Sequence, residues 1–265
     1  TFAKLLIVRR TFICTLMRKE LVIIFLLIAG CLNSSASSLP LDKMLAQLDD
    51  FLEHKDQYVE QKEKKIAEWR QQLGEVVSNE RRYEACIHLF NEYKSYKYDS
   101  AYVYANKCLS LAQSLDNRGY VAEAKGGIVF CLLSSGLFKE AFDVISKIDI
   151  ADVPLSVQVS YYSLYSRLYY DIADYNHEAP FQNEYVQKGS IYTDSLLTLL
   201  PKQSLKWWYA IGQKQMKERH YDASIHSFST LLQRTDVDMH MEAIISSSMG
   251  WMYYERGDMD RAMTF

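Results

Sequence analysis

Large, small and aromatic residues recur at helical spacing over residues 249–262. Met249 precedes a small residue, Gly250, and Tyr253 follows three residues later. Gly257 comes next, with Ala262 five residues beyond it. Small residues let two antiparallel helices approach closely, while the aromatic side chain fills the space beside the contact. The pattern therefore predicts a helix, a tight turn and a second helix.

The same rhythm recurs upstream. Small residues at equivalent second-helix positions are separated by 40, 83 and 38 residues, at Ala101, Ala141, Ser224 and Ala262. The 83-residue interval covers two periods and includes a less regular, tyrosine-rich unit at residues 155–200. In the next unit, Gly212 is the small residue of the first helix. Such helix pairs are typical of tetratricopeptide (TPR) repeats. We predict an all-α, TPR-like α-solenoid of about five helix pairs over residues 75–265, incomplete at the C-terminus because a second helix is cut short.

Residues 39–74 predict one long helix that precedes the repeats. Apolar residues keep a strict seven-residue spacing at Leu45, Leu52, Val59, Ile66 and Leu73. Gly74 suits the end of the helix. Lys55 and Lys62 stand in the second apolar row and weaken a coiled-coil seam. We favour a surface-packed helix that leads into the solenoid, with coiled-coil dimerisation as the alternative.

Residues 1–38 have the features of an export signal region. Arg18 and Lys19 follow Met17, which we interpret as the true start, and an apolar run extends from Leu21 to Ala29. This run is well below the roughly 20 residues needed to span a bilayer, which favours a cleaved signal over a permanent anchor.

Cys31 is a candidate lipidation site. It ends the sequence Leu-Ile-Ala-Gly-Cys, which resembles a bacterial lipobox, in which the cysteine is lipidated and becomes the mature N-terminus. Ordinary cleavage near Ala36 and Ser38 is the alternative. Either route predicts an exported protein of the periplasm or cell envelope.

Composition limits the classes of partner and fold. The formal net charge of −3 and the pI near 6.1 give no electrostatic reason to expect nucleic-acid binding by this segment. Only four prolines and ten glycines occur, which favours helix pairs over a β-sandwich with frequent turns.

The sequence contains no recognisable catalytic motif. The six histidines have no metal-ligand spacing, and we expect no metal site, no cofactor and no enzymatic activity. Cys86, Cys108 and Cys131 lie in apolar helical patterns, which favours free buried thiols over one disulfide and a leftover thiol.

A binding surface is the remaining candidate for function. In TPR proteins the first helices of successive repeats line a groove, and aromatic anchors with a few amides suit a protein or peptide partner. The aligned positions are Phe130, Tyr209, Gln213, Met216, Trp251 and Tyr254. The alternative is that several of these side chains pack against a neighbouring repeat or against chain beyond Phe265.

Residues 41–66, of the form LDxxLxxLDxxLExxxxYVEQKEKKI, follow the export signal and precede the tyrosine-rich repeats. This combination resembles Bacteroidota envelope-associated TPR regulatory proteins that carry a domain of unknown function (DUF6377-like). The resemblance implies a TPR region outside the inner membrane, a later membrane helix and a cytoplasmic signalling or DNA-binding part.

Two functions follow from these observations. The first is a non-catalytic, periplasmic sensor or scaffold segment of a membrane-linked regulator that binds a protein or peptide partner. Across the two functions, we expect membrane association through a lipid anchor or a downstream helix, and lipidation of Cys31 would argue against the regulator. The alternative is an outer-membrane lipoprotein of helical-repeat type that binds nutrients such as glycans.

Overall fold

A computed structural model describes residues 52–265, together with Lys43, Leu45, Ala46, Asp49 and Asp50. The predicted export signal and Cys31 lie outside the described residues, so both stay predictions. In the part of the chain that is described, no helix is long and apolar enough to cross a membrane.

Eleven α-helices and no strand lie between Lys55 and Phe265. The first helix stands alone and the other ten form five consecutive pairs, which confirms the predicted all-α, TPR-like solenoid. The helices are α1 (Lys55–Glu75), α2 (Asn79–Tyr93), α3 (Tyr98–Ser114), α4 (Arg118–Ser134), α5 (Phe138–Ile145), α6 (Leu155–Tyr175), α7 (Phe181–Leu199), α8 (Leu205–Lys217), α9 (Tyr221–Leu232), α10 (Met239–Glu255) and α11 (Met259–Ala262).

Side-chain caps start the first helix of four pairs. Ser78, Asn117, Ser204 and Asp238 each accept a hydrogen bond from a backbone N–H of the first turn, at 2.7–3.3 Å. Such caps satisfy N–H groups that have no partner within the helix and stabilise it by about 1 kcal/mol each. Pro154 precedes α6 instead, where its fixed φ suits a helix entry.

In three of the five helix pairs, the turn between the two helices contains one residue in the left-handed region. Gly136 and Gly257 have φ of 71° and 75°, and each stands two residues before the second helix. Arg219 holds the same place before α9, with φ of 62°. The glycine spacing predicted the first two turns, whereas a non-glycine residue in this conformation left no signal in the sequence.

The two helices of a pair approach closely at small residues. Ala105, Ala112 and Ala141 are fully buried in the core that joins α1 to α6. In the fourth pair the buried ring of Phe228 lies directly against Gly212, and the Ser224 hydroxyl donates to the Gly212 carbonyl at 2.8 Å. Ser224 is thus small enough to allow the close approach that alanine usually allows at this position, and its buried hydroxyl has a hydrogen-bond partner.

Only part of the helix predicted over residues 39–74 lies within the described residues, so its start stays a prediction. Helical positions are described from Lys43 onward, but a turn at His54 precedes α1. Within α1, Ile66 is buried and Trp69 stacks on His88 of α2 with ring centroids 3.8 Å apart. This packing agrees with a surface-packed helix. The exposed side chains of Leu45 and Leu52 leave coiled-coil pairing a prediction.

Cys86, Cys108 and Cys131 are buried free thiols, as the favoured interpretation predicted. Burial raises the pKa of Cys131 to about 11, so this thiol stays protonated at neutral pH. Packing accounts for the position of all three cysteines.

Candidate peptide-binding groove

Side chains from the first helices of four consecutive pairs line one cavity of about 440 Å³. Phe130 comes from α4, Arg167 from α6, Tyr209 and Gln213 from α8, and Ile244 from α10. We call this cavity the first-helix groove. The structure brings together three of the six predicted partner-binding residues, Phe130, Tyr209 and Gln213, without testing whether they bind a partner.

Phe130 forms an aromatic platform at one end of the groove. Its ring meets the ring of Phe90 edge-on, with centroids 6.4 Å apart. The Arg167 guanidinium lies 4.9 Å from the Phe130 centroid, and the Lys94 ammonium lies 5.9 Å from it. Cations at this range over an aromatic face are attracted by its negative electron cloud.

Hydrogen bonds fix the position of Arg167. Its Nε donates to Asp171 at 3.1 Å, and its Nη2 donates to the Ser134 hydroxyl at 3.2 Å. Burial raises the pKa of Asp171, and the neighbouring Arg167 counteracts that shift only in part. The guanidinium is therefore held in place before any partner arrives.

Tyr209 and Gln213 form a polar edge of the groove, contributed by α8. The Gln213 Nε2 donates to the Tyr209 hydroxyl at 3.2 Å, as expected for residues four apart on one helix. Burial raises the pKa of Tyr209, so the phenol stays neutral at physiological pH. The amide oxygen of Gln213 and the phenol proton are available for a peptide backbone.

A buried polar network supports the groove from below. The Ser166 and Thr193 hydroxyls are 2.6 Å apart, and the Tyr170 hydroxyl lies within 3.3 Å of both Ser190 and Thr193. Ser190 in turn donates to Glu218 at 2.7 Å. Fully satisfied networks of this kind make a site rigid. The sequence reasoning missed it; Ser190 and Thr193, one helical turn apart in α7, are the signal that could have shown it.

The remaining predicted residues lie elsewhere. Met216 and Trp251 line a second cavity of about 720 Å³, which shares only Lys217 with the first-helix groove. Only 8% of Met216 is exposed, because the residue packs in the core of α8 to α10. Trp251 is 45% exposed and stands edge-on to Tyr221, with ring centroids 5.9 Å apart. Tyr254 is 59% exposed and lines neither cavity.

The described side chains form no group of three or more His, Cys, Asp or Glu placed to hold a metal ion. Five stacked helix pairs with a lined groove define a helical-repeat domain of the TPR class, which typically acts as a non-catalytic scaffold for protein interactions.

A sequence model described as the SusR N-terminal TPR domain matches residues 52–265. The match covers more than half of the chain, and the chain belongs to this family. It supports the resemblance to Bacteroidota TPR regulators but not to the particular domain of unknown function named above. No curated protein matches the chain.

Proposed function

We propose that this chain is the sensor or scaffold segment of a membrane-linked, transcriptional regulator, and that it acts in the periplasm. It carries out no chemistry. It binds an extended segment of a protein or peptide in the first-helix groove. Membership of the SusR N-terminal TPR domain family supports the regulatory part of this proposal.

The observation that carries the proposal is the convergence of Phe130, Arg167, Tyr209 and Gln213 from three successive first helices. Aromatic residues and arginine supply most of the binding energy at protein interfaces, especially in pockets with a polar edge. A rigid groove also binds an extended peptide at a smaller entropic cost than a mobile surface would.

Selection from a library of random 12-residue peptides displayed on phage tests the groove. The wild-type chain is expected to enrich a family of related peptides, and Tyr209→Ala is expected to lose them. Phe142→Ala is the matched control, because Phe142 is an exposed aromatic residue of α5, a second helix. Equal enrichment by Tyr209→Ala and the wild type would refute binding in the groove.

The regulator and the alternative lipoprotein differ in how they reach a membrane. The regulator predicts a membrane helix encoded downstream of Phe265 and no incorporation of labelled palmitate at Cys31. Palmitate at Cys31 with no downstream helix would instead favour an outer-membrane lipoprotein that binds nutrients such as glycans.

A further inference from the structure

Two cations with unused hydrogen-bond donors lie close to the ring of Phe130. The Lys94 ammonium donates to Asn91 at 2.9 Å, and Arg167 donates to Asp171 and Ser134. An ammonium has three N–H donors and a guanidinium has five. Beside these contacts, Lys94 retains two donors and Arg167 retains three. Arg167 lines the groove, whereas Lys94 lies outside its lining but within reach of the Phe130 ring.

Among the described residues, no carboxylate pairs with the positive charge of Lys94. Nearby Lys62 pairs with Glu92 at 2.7 Å, and Lys217 pairs with Asp174. Within residues 52–265, neither Lys94 nor Lys206 has such a partner within 4.0 Å. The Lys94 side chain is open to solvent, yet the surrounding protein partly desolvates it. This desolvation, followed by repulsion from Lys62 and Lys206, lowers its pKa.

This arrangement favours an anionic occupant. A carboxylate beside Lys94 would neutralise the repulsion among the lysines and would accept donors that otherwise bond only to water. A cationic segment would add to that repulsion and would leave the donors unused. An apolar segment would cover the ammonium and increase its desolvation.

We propose that the first-helix groove binds an acidic segment of its protein partner, with one Asp or Glu carboxylate at Lys94 and another at Arg167 beside the Phe130 ring. The proposal rests on the peptide-binding function proposed above and specifies the chemistry of that peptide. The two cations lie 5.9 Å and 4.9 Å from one ring centroid. In this proposal two carboxylates on residues i and i+2 of an extended strand, about 6.6 Å apart, contact one cation each.

The composition of the selected peptides tests this chemistry directly. The random-peptide selection is run on the wild type, Lys94→Met, Lys94→Arg and Lys139→Met. Methionine keeps an unbranched apolar stem and removes the charge, whereas arginine keeps the charge. Lys139 is the matched control, because it is an exposed lysine of α5, which is the second helix of its pair.

We expect the wild type to enrich peptides rich in Asp and Glu. A synthetic peptide of the enriched sequence should bind Lys94→Met about tenfold more weakly, a difference of about 1.4 kcal/mol, and its affinity for the wild type should fall as salt rises. Lys94→Arg and Lys139→Met should bind like the wild type. Thermal melting of each variant shows whether it is folded.

The outcomes separate this proposal from the function on which it rests. If the enriched peptides are neutral or basic and are lost in Tyr209→Ala, peptide binding in the groove is supported and the acidic partner is refuted. If acidic peptides bind Lys94→Met and the wild type equally, the proposed contact between a partner carboxylate and Lys94 is refuted. Enrichment that does not depend on Tyr209 would overturn the groove itself.

Discussion

Adding one methyl group at Gly212 tests the close approach of α8 and α9. A Cβ at this position would lie 2.5 Å from Cε1 and 2.7 Å from Cδ1 of Phe228. Carbon atoms in contact normally stand about 3.5–4.0 Å apart. The Phe228 ring is fully buried, so any shift of the ring has to be accommodated by its neighbours in the core.

The magnitude follows from two opposing effects. Overpacking a core costs about 1–3 kcal/mol, and a contact as short as 2.5 Å belongs in the upper half of that range. Alanine gains about 1 kcal/mol over glycine inside a helix. Gly212→Ala is therefore expected to lower the free energy of unfolding by about 1–2 kcal/mol, or the melting temperature by about 3–6 °C.

Thermal and urea denaturation followed by circular dichroism measure this change. Gly74→Ala is the matched control, because a Cβ at Gly74 in α1 meets no atom within 4 Å. That variant should be as stable as the wild type or slightly more stable. If Gly212→Ala were as stable as Gly74→Ala, the close packing of Gly212 against Phe228 would be wrong.

Three further predictions concern the supporting network, the buried thiols and the second cavity. Tyr170→Phe should lower the free energy of unfolding by about 1–2 kcal/mol, because its buried hydroxyl has two hydrogen-bond partners. Urea denaturation measures this change, with Tyr162→Phe as the control variant. Cys131 should react with iodoacetamide at pH 8 at least about a hundredfold more slowly in the folded than in the unfolded chain, and equal rates would contradict its raised pKa. For a partner segment that extends beyond the first-helix groove to the second cavity, Trp251→Ala should weaken capture more than it lowers the melting temperature, because the side chain lines that cavity and is 45% exposed; a large loss of melting temperature with unchanged capture would assign Trp251 to the core.

The sequence predicts the fold well because each repeat marks its own packing. Gly212 and Ala141 stand where helices meet, and Gly136 and Gly257 stand where a turn needs φ above zero. These requirements are local, so they are visible in the spacing of a few residues. Arg219 shows the limit, because its left-handed conformation is imposed by the repeat rather than by its own residue type.

The site is harder to predict because it depends on which helices meet. The repeat pattern placed Phe130, Tyr209 and Gln213 on first helices, and these side chains do line one cavity. Arg167 escaped notice because it lies in the irregular third unit. Lys94 escaped notice because it caps the C-terminal end of the first helix α2 and does not lie within it. Met216 lies about two helical turns after Tyr209 on the same face of α8, but at that level it packs in the core with residues of α9 and α10.

Site-specific photo-cross-linking most directly tests whether the first-helix groove binds a protein segment. A benzophenone amino acid is placed at Tyr209 in one variant and at Phe142 in another, and cross-linked peptides are identified after irradiation of living cells. We predict one recurrent segment of a single protein at position 209 and none at position 142. Cross-links of equal yield at both positions, or at position 142 alone, would contradict binding in the groove.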